Sequence, residues 1–168
     1  MKPGIHLSFI IVLALLSTAL ISAKEQPIPV INATRVNEEM AVDGYLNESV
    51  WQGQGYSALV QKEPVEGAEP TEATSVWIAY SEQGIYAAAK CYYSDSSSCT
   101  GGIARRDEVV QSDRFWFWID PNKSGHGAFG FVVNPDGSII DGKFHQDIYW
   151  DDSWDGVWEA AAKKHGDY

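Results

Sequence analysis

Two tryptophans, Trp116 and Trp118, stand two residues apart in a stretch with strand-like alternation. On a strand their side chains point to one face, roughly 6.5–7 Å apart along the chain. Aromatic faces at that spacing can stack on successive sugar rings, whose axial hydrogens form an apolar plane. Phe115, Phe117 and Ile119 fall on the opposite face, which predicts a core. A strand buried on both faces shows the same pattern, and we favour that second interpretation, in which both tryptophans are core as well.

Two further tryptophans, Trp150 and Trp154, lie in the acidic and aromatic segment 147–156. This segment is polar and is predicted to be an exposed loop. We therefore expect Trp150 and Trp154 to be better placed for ligand stacking than the two strand tryptophans. Trp158 follows at the start of the next predicted strand, which favours a core position for it.

Three charged side chains could donate or accept hydrogen bonds with the hydroxyl groups of a stacked ligand, namely Arg106, Asp113 and Asp155. The alternative for the arginines and acids of residues 105–114 is a network of surface ion pairs, each of which contributes little to stability. We favour the ion pairs unless the strand face beside them is open.

Two acidic loops have the spacing of the first half of a calcium-binding loop: Asp151, Ser153, Asp155 and Gly156 in one, and Asp120, Asn122, Ser124 and Gly125 in the other. The twelfth positions are Ala162 and Phe131, which cannot supply the bidentate carboxylate of an EF-hand. A looser Ca²⁺ site at Asp151, Ser153 and Asp155 stays as an alternative. Hydrated turns rich in Asp and Gly are the favoured interpretation.

Catalytic motifs are missing from the sequence. It contains no Gly-x-Ser-x-Gly, no His-Glu-x-x-His and no phosphate-binding glycine loop. A glycosidase needs two carboxylates about 5–9.5 Å apart across a cleft, and no acid here lies in a recognisable catalytic motif. The histidines outside the first 23 residues, His126, His145 and His165, are scattered and form no evident pair of haem ligands. We therefore predict a binding protein without catalysis.

The length, charge and aromatic content of the chain restrict the kinds of partner that it could bind. The 168 residues suit one domain, and the formal net charge of −11 opposes binding to nucleic acid. An acidic surface is compatible with a neutral partner such as a glycan, or with a cation. Seven Trp and eight Tyr distinguish the chain from a disordered acidic tail, which would contain few aromatic residues.

The N-terminus has the pattern of a secretory signal peptide over residues 1–23. Lys2 precedes an apolar run at residues 7–21, and Ala23 precedes a polar segment. The run is shorter than the roughly 20 residues that span a bilayer. We predict export to the periplasm, the outer membrane or the extracellular space. Cleavage would remove Lys2 and change the formal charge from −11 to −12.

Export bears on the two cysteines, Cys91 and Cys99, which flank a serine-rich loop. An oxidising compartment permits a disulfide between them. The alternative is a buried Cys91 in a strand and a free Cys99 in a loop, and the sequence leaves both open.

Short strands separated by turn residues, without a long helical period, predict an all-β fold for residues 30–168: an antiparallel β-sandwich or jelly roll. Residues 24–29 are predicted to be a mobile lead-in, and Asn47 is predicted to cap a short helical turn that directs Val50 and Trp51 inward. Residues 166–168 resemble the start of another strand, so we expect the domain to lack its last strands. The predicted strands are 30–36, 57–61, 74–80, 85–93, 114–120, 127–134, 138–144 and, by preference over a helix, 157–164.

The order of several short motifs adds a resemblance: Asp43-Gly44, Glu63-Pro64, Val76-Trp77-Ile78-Ala79-Tyr80, Arg105-Arg106-Asp107, Ser112-Asp113-Arg114, Asn134-Pro135-Asp136-Gly137 and Trp154-Asp155-Gly156-Val157-Trp158. From about Val30 to the end, the chain resembles a carbohydrate-binding module family 9-like domain. The variant it resembles stands at the N-terminus of long exported bacterial proteins whose remainder is thought to form an outer-membrane barrel.

This resemblance implies a β-sandwich that binds polysaccharide without catalysis, attached to glycoside hydrolases that act on xylan or cellulose. It also implies an alternative, a structural domain that docks on an outer-membrane barrel and binds no sugar. Sugar-binding members clamp a terminal glucose between two tryptophans with an acid and an arginine. Three of those positions here are Val110, Trp116 and Val132, and the fourth lies beyond Gly166. Binding would therefore use other residues, for which our candidates are Trp116, Trp118, Trp150, Trp154, Arg106, Asp113 and Asp155.

Overall fold

The described part of the protein is all-β, with two separate sheets that are mostly antiparallel. A computed structural model describes residues 29–95, 97–146, 149–166 and 168, so the predicted signal peptide and most of the predicted lead-in lie outside the described residues. The described part contains one short 3-10 helix, Ser49–Trp51, and no helix that is long and apolar enough to cross a membrane. The all-β prediction is confirmed, and the face-to-face sandwich remains a prediction.

Sheet A contains three strands in the order β1-β2-β3: β1 at Thr34–Arg35, β2 at Thr74–Tyr80 and β3 at Ile85–Cys91. The β2–β3 hairpin matches the prediction, with Val76 opposite Ala89 and Tyr80 opposite Ile85. One face of the sheet packs against the N-terminal segment and forms a core whose buried members are Val36, Trp51, Ala79 and Ala88.

Sheet B contains four antiparallel strands in the order β4-β5-β6-β7: β4 at Phe115–Ile119, β5 at Phe129–Val133, β6 at Ile139–His145 and β7 at Tyr149–Asp151. The turn at Asn134–Gly137 joins β5 to β6, and the Asn134 side chain accepts hydrogen bonds from the backbone N–H groups of Asp136 and Ser138. This sheet carries the predicted site residues of the strand and of the acidic segment.

Three predicted strands differ most from the structure. The first covers only Thr34–Arg35, because β1 runs parallel past the end of β2 and meets only Ala79 and Tyr80. Residues 57–61 form no strand; the chain touches β2 through one bridge between Tyr56 and Val76 and then leaves the edge. The predicted last strand, 157–164, is irregular, because this segment crosses a sheet face through Trp158 instead of running beside an edge.

Two local predictions also need correction. The cap of the 3-10 helix is Glu48 and not Asn47, although Trp51 is buried as predicted. The segment 147–156, predicted to be a loop throughout, contains β7, which pairs with the end of β6 through Trp150 opposite Phe144. This pairing fixes Trp150 on the sheet, where the sequence suggested only a loop position.

Candidate functional site

One face of sheet B carries a continuous aromatic surface made of Trp116, Trp118, Phe144 and Trp150. Trp116 and Trp118 stack on each other, with ring centroids 5.4 Å apart and an interplanar angle of 17°. Trp150 meets Trp118 edge-on at 5.5 Å and 77°, and Phe144 lies 4.9 Å from Trp118. We call these four side chains the tryptophan surface.

Two glycines on the same face allow the indoles to lie close to the backbone. Gly130 is the cross-strand partner of Trp118, and Gly142 is the partner of Gly130 on β6. A Cβ at Gly130 would come within 2.4 Å of Cζ3 of Trp118, and one at Gly142 within 2.3 Å of Cζ2 of Trp150. Any larger residue at either position would displace a ring.

The tryptophan surface is half open to solvent. Trp116 and Trp118 are 43% and 39% exposed, so the prediction that both are core is wrong. The physical reason is that β4 is an edge strand and that residues 110–114 cover this face beside Val132 and Ile140 but leave Trp116 and Trp118 partly open. The rings also stack on each other instead of lying side by side, so they do not form the predicted row for successive sugar rings.

The opposite face of sheet B, the phenylalanine face, is covered by the segment that follows β7. Trp154 packs on Phe129 at 4.7 Å and on Phe131 at 6.0 Å, and Trp158 packs on Phe131 at 5.2 Å. Trp154 therefore lies on the other side of the sheet from Trp150. The structure brings three of the four candidate tryptophans together and separates the fourth.

Arg106 and a buried acid organise the phenylalanine face. Asp141 is 0% exposed; its Oδ1 accepts a hydrogen bond from Arg106 Nη2 at 2.5 Å and its Oδ2 accepts one from the Gly156 N–H at 2.5 Å. Asp107 Oδ1 accepts from the Asp141 N–H at 2.9 Å, and Arg106 donates to the Gly156 carbonyl at 2.8 Å. These bonds hold two distant segments against β6.

Asp141 is not among the predicted site residues. The available signal is an acid directly after two isoleucines in β6, where alternation places it on the same face as Phe131. A buried carboxylate needs a cation or several donors close by, and the only arginine pair in the sequence, Arg105-Arg106, could have been suggested as its source.

Asp107, Asp141 and Asp155 bring carboxylate oxygens within 4.8 Å of one another. Arg106 lies among them, 3.6 Å from Asp107 and 3.5 Å from Asp155 as well as bonded to Asp141. The guanidinium therefore takes the position and the charge compensation that a cation would provide. These three acids therefore form a network around Arg106.

The predicted calcium residues Asp151, Ser153 and Asp155 have different partners. Asp151 Oδ1 accepts from the Ser153 N–H at 3.0 Å and from its hydroxyl at 2.6 Å, while Asp151 Oδ2 lies 3.6 Å from His145 Nε2. The Ser153 hydroxyl, its N–H and His145 lower the pKa of Asp151. Asp155 belongs to the Arg106 network instead, so the Asp151–Ser153 pair is a hydrogen-bonded turn.

Asp113 is used by the backbone of a neighbouring loop. Its Oδ2 accepts from the Thr100 N–H at 2.7 Å, and its own N–H donates to the Thr100 carbonyl at 2.8 Å. Asp113 therefore fixes this loop instead of joining the acids around Arg106. Cys91 and Cys99 are both free thiols in the structure.

The tryptophan surface and the Arg106 network are thus two distinct features on opposite faces of one sheet. Comparisons of the chain with protein-family models, curated proteins and solved structures found no match.

Proposed function

We propose that this chain is a non-catalytic carbohydrate-binding module that holds a neutral polysaccharide on its tryptophan surface. The observation that carries the proposal is the half-open set of Trp116, Trp118 and Trp150 on a face whose central positions are all apolar. Aromatic rings bind the axial hydrogens of sugars without needing a charged partner. Xylan and cellulose, whose sugars present such apolar planes, are the substrates to test first.

The other four predicted binding residues have structural roles in this proposal. Arg106 and Asp155 lie on the phenylalanine face and Asp113 closes a loop, so none of the three is assigned to the ligand. Trp154 packs on Phe129, on the sheet face opposite the tryptophan surface. The ligand is therefore expected to depend on aromatic contact, with hydrogen bonds limited to groups at the rim.

A non-catalytic role is supported by the surroundings of the three clustered acids. Asp107, Asp141 and Asp155 are near enough for chemistry, but Arg106 is paired with all three and Asp141 has no exposure to a substrate. A general acid must be reachable and able to give up a proton at the reacting group. These acids form a structural network.

The test is tryptophan fluorescence of the purified chain titrated with xylan, cellulose suspensions and short neutral oligosaccharides. Trp116→Ala and Trp150→Ala should each weaken binding about tenfold, the equivalent of roughly 1.4 kcal/mol of lost aromatic contact. Tyr80→Ala is the matched control, because Tyr80 is also 43% exposed but belongs to sheet A. All variants are first compared by near-ultraviolet circular dichroism.

Two results would contradict the proposal. Loss of binding in Trp154→Ala with full binding in Trp116→Ala would move the site to the phenylalanine face. The absence of any saturable signal from a folded chain would favour the alternative, a docking domain for an outer-membrane barrel or a hydrolase domain. That alternative has its own support in the exposed apolar pair of Tyr80 and Ile85 on sheet A, 43% and 58% exposed.

A further inference from the structure

Strand β4 forms one edge of sheet B and has a partner on one side only, β5. The Asn134 N–H donates to the Ser138 carbonyl at 3.0 Å and the Phe144 N–H donates to the Ala128 carbonyl at 2.8 Å. Even-numbered residues of β5 therefore bond to β6, which leaves its odd-numbered residues to bond to β4. In the register of β4 and β5, those residues face Phe115, Phe117 and Ile119.

The free edge of β4 is consequently formed by the backbone N–H and C=O groups of Trp116 and Trp118. No described residue forms a hydrogen bond with these outward groups. Natural edge strands are usually blocked by lysine, proline or a bulge, and β4 contains none of these between Phe115 and Ile119. Such an edge is available for pairing with another strand.

We propose that β4 pairs in antiparallel fashion with β4 of a second copy of this chain, about a two-fold axis at Phe117. In this register Trp116 lies opposite Trp118 of the partner subunit, and each such pair exchanges two backbone hydrogen bonds. The arrangement is self-complementary, as a two-fold interface requires. It also joins the two four-stranded sheets into one sheet of eight strands.

The charged residues at the two ends of β4 favour this register over the neighbouring ones. Arg114 and Asp120 flank β4 at equal distances from Phe117. Arg114 Nη2 donates to the Val110 carbonyl, and the Asp120 carboxylate accepts from the N–H groups of Asn122 and Gly125. A guanidinium has five N–H donors and a carboxylate about four acceptor sites, so each side chain keeps capacity for a partner subunit. A two-fold axis at Phe117 places Arg114 opposite Asp120 of the partner subunit, and this contact occurs twice. Sliding the strands by two residues removes both pairs and sets Asp120 opposite Trp116 or Ser112. Oppositely charged cross-strand pairs stabilise a sheet, and unpaired ones do not.

The pairing brings together two tryptophan surfaces, because all four β4 tryptophans then lie in adjacent positions on one face. It needs no ligand, so its test is independent of carbohydrate binding. Each chain carries a formal charge of −11, so long-range repulsion opposes the dimer. This repulsion is screened beyond about 8 Å at physiological ionic strength, which is the condition for the measurement.

The experiment is sedimentation-velocity ultracentrifugation of the purified chain over a range of concentrations, with two charge reversals. Arg114→Asp places acid opposite acid, and Asp120→Arg places base opposite base, so each variant alone should dimerise at least about tenfold more weakly. Mixing the two variants restores both opposite-charge pairs in a heterodimer. The mixture should therefore recover the dimer that each variant alone has lost.

Asp152→Arg is the matched control, since Asp152 is exposed in the turn after β7, at the opposite edge of sheet B. It should dimerise like the unmodified chain. A strictly monomeric unmodified chain at all concentrations overturns the proposal. So does a dimer that neither reversal weakens, because it uses another surface. If the reversed variants are monomeric and folded but their mixture stays monomeric, the register at Phe117 is wrong.

Discussion

Asp141 holds a negative charge at a position with 0% exposure in the middle of β6. Its compensation comes from one guanidinium and one backbone N–H, of Arg106 and Gly156. Removing the partner of a buried charge leaves that charge without solvation or pairing, which costs more than the pair itself contributes. The side chain of Arg106 is 37% exposed, so water can replace part of what it provides.

We expect Arg106→Ala to lower the free energy of unfolding by about 2–3 kcal/mol, below the range for removing one member of a fully buried pair. Urea unfolding followed by circular dichroism measures this. Arg105→Ala is the control, because Arg105 is exposed and should change the free energy by less than about 0.5 kcal/mol. Equal effects of the two substitutions would show that Asp141 does not depend on Arg106.

A second residue-scale prediction concerns acid stability. Hydrogen bonds from the N–H groups of Gly125 and Asn122 and from Ser124 lower the pKa of Asp120. A carboxyl group with a pKa lower in the folded state stabilises the fold above its unfolded pKa of about 3.9. That contribution is lost as the pH falls through the lowered folded value, so the affected window lies below about pH 4.

Asp120→Asn should therefore make the fall in unfolding free energy below about pH 4 shallower than in the unmodified chain, because an amide cannot titrate. Urea unfolding at a series of acid pH values provides the comparison. Asp152→Asn, an exposed turn residue, should leave the slope unchanged. An identical slope in Asp120→Asn and in the unmodified chain would contradict the assigned role of the turn.

At the scale of elements, the tryptophan surface depends on Gly130 and Gly142, which leave space for its indole rings. Gly130→Ala and Gly142→Ala would each place a methyl group within about 2.4 Å of an indole ring atom, so Trp118 or Trp150 must swing away from the sheet. We expect a cost of about 1–2 kcal/mol, at the low end for overpacking because the rings are half exposed.

The decisive measurement is near-ultraviolet circular dichroism, in which the coupled indole signals should weaken in both variants while glycan affinity falls. Gly84→Ala provides the comparison, since a Cβ there meets no atom within 4 Å. Unchanged indole signals in Gly130→Ala would mean that Trp118 does not rest on that glycine.

The elements that the sequence predicts correctly are those with a local signal. Alternation and turn residues predict the hairpins β2–β3 and β5–β6 to within two or three residues, because each hairpin is specified by its own side chains and its own turn. The wrong elements depend on distant contacts. Residues 157–164 are predicted to form a strand, yet they form none, and Trp158 packs on Phe131.

In the candidate site, too, the local pattern is predicted correctly and the distant contacts are not. Trp116 and Trp118 are correctly placed on one face, but their exposure depends on whether another part of the chain covers that face, which no local pattern encodes. The position of Trp150 beside them depends on the pairing of β7 with β6. Sequence could group Trp150 with Trp154 only by proximity along the chain, and the sheet separates them.

At the scale of the whole molecule, the acidic surface restricts the class of glycan. A chain of net charge −11 repels carboxylated or sulfated polymers, whereas stacking of a neutral sugar on indole does not depend on screening. Binding of a neutral xylo-oligosaccharide should therefore be nearly independent of salt concentration. Binding of a polyuronate should be weaker at low than at physiological ionic strength.

Isothermal titration calorimetry at two salt concentrations separates these cases, and an uncharged polymer of similar length is the control for the polyuronate. Tight binding of the polyuronate that weakens as salt is added would contradict the prediction. It would indicate a basic contact on a surface that contains few cations.

The bonds of Asp141 also affect how the chain folds. Its partners Arg106 and Asp107 precede it by 35 and 34 residues, and Gly156 follows it by 15. Contacts between such distant residues require loops to close before any energy is gained. We therefore expect the hairpins to form early from local contacts and this network to form after the rate-limiting step. Arg106→Ala should then speed unfolding and leave the folding rate nearly unchanged, so Arg106 controls how long the native state lasts.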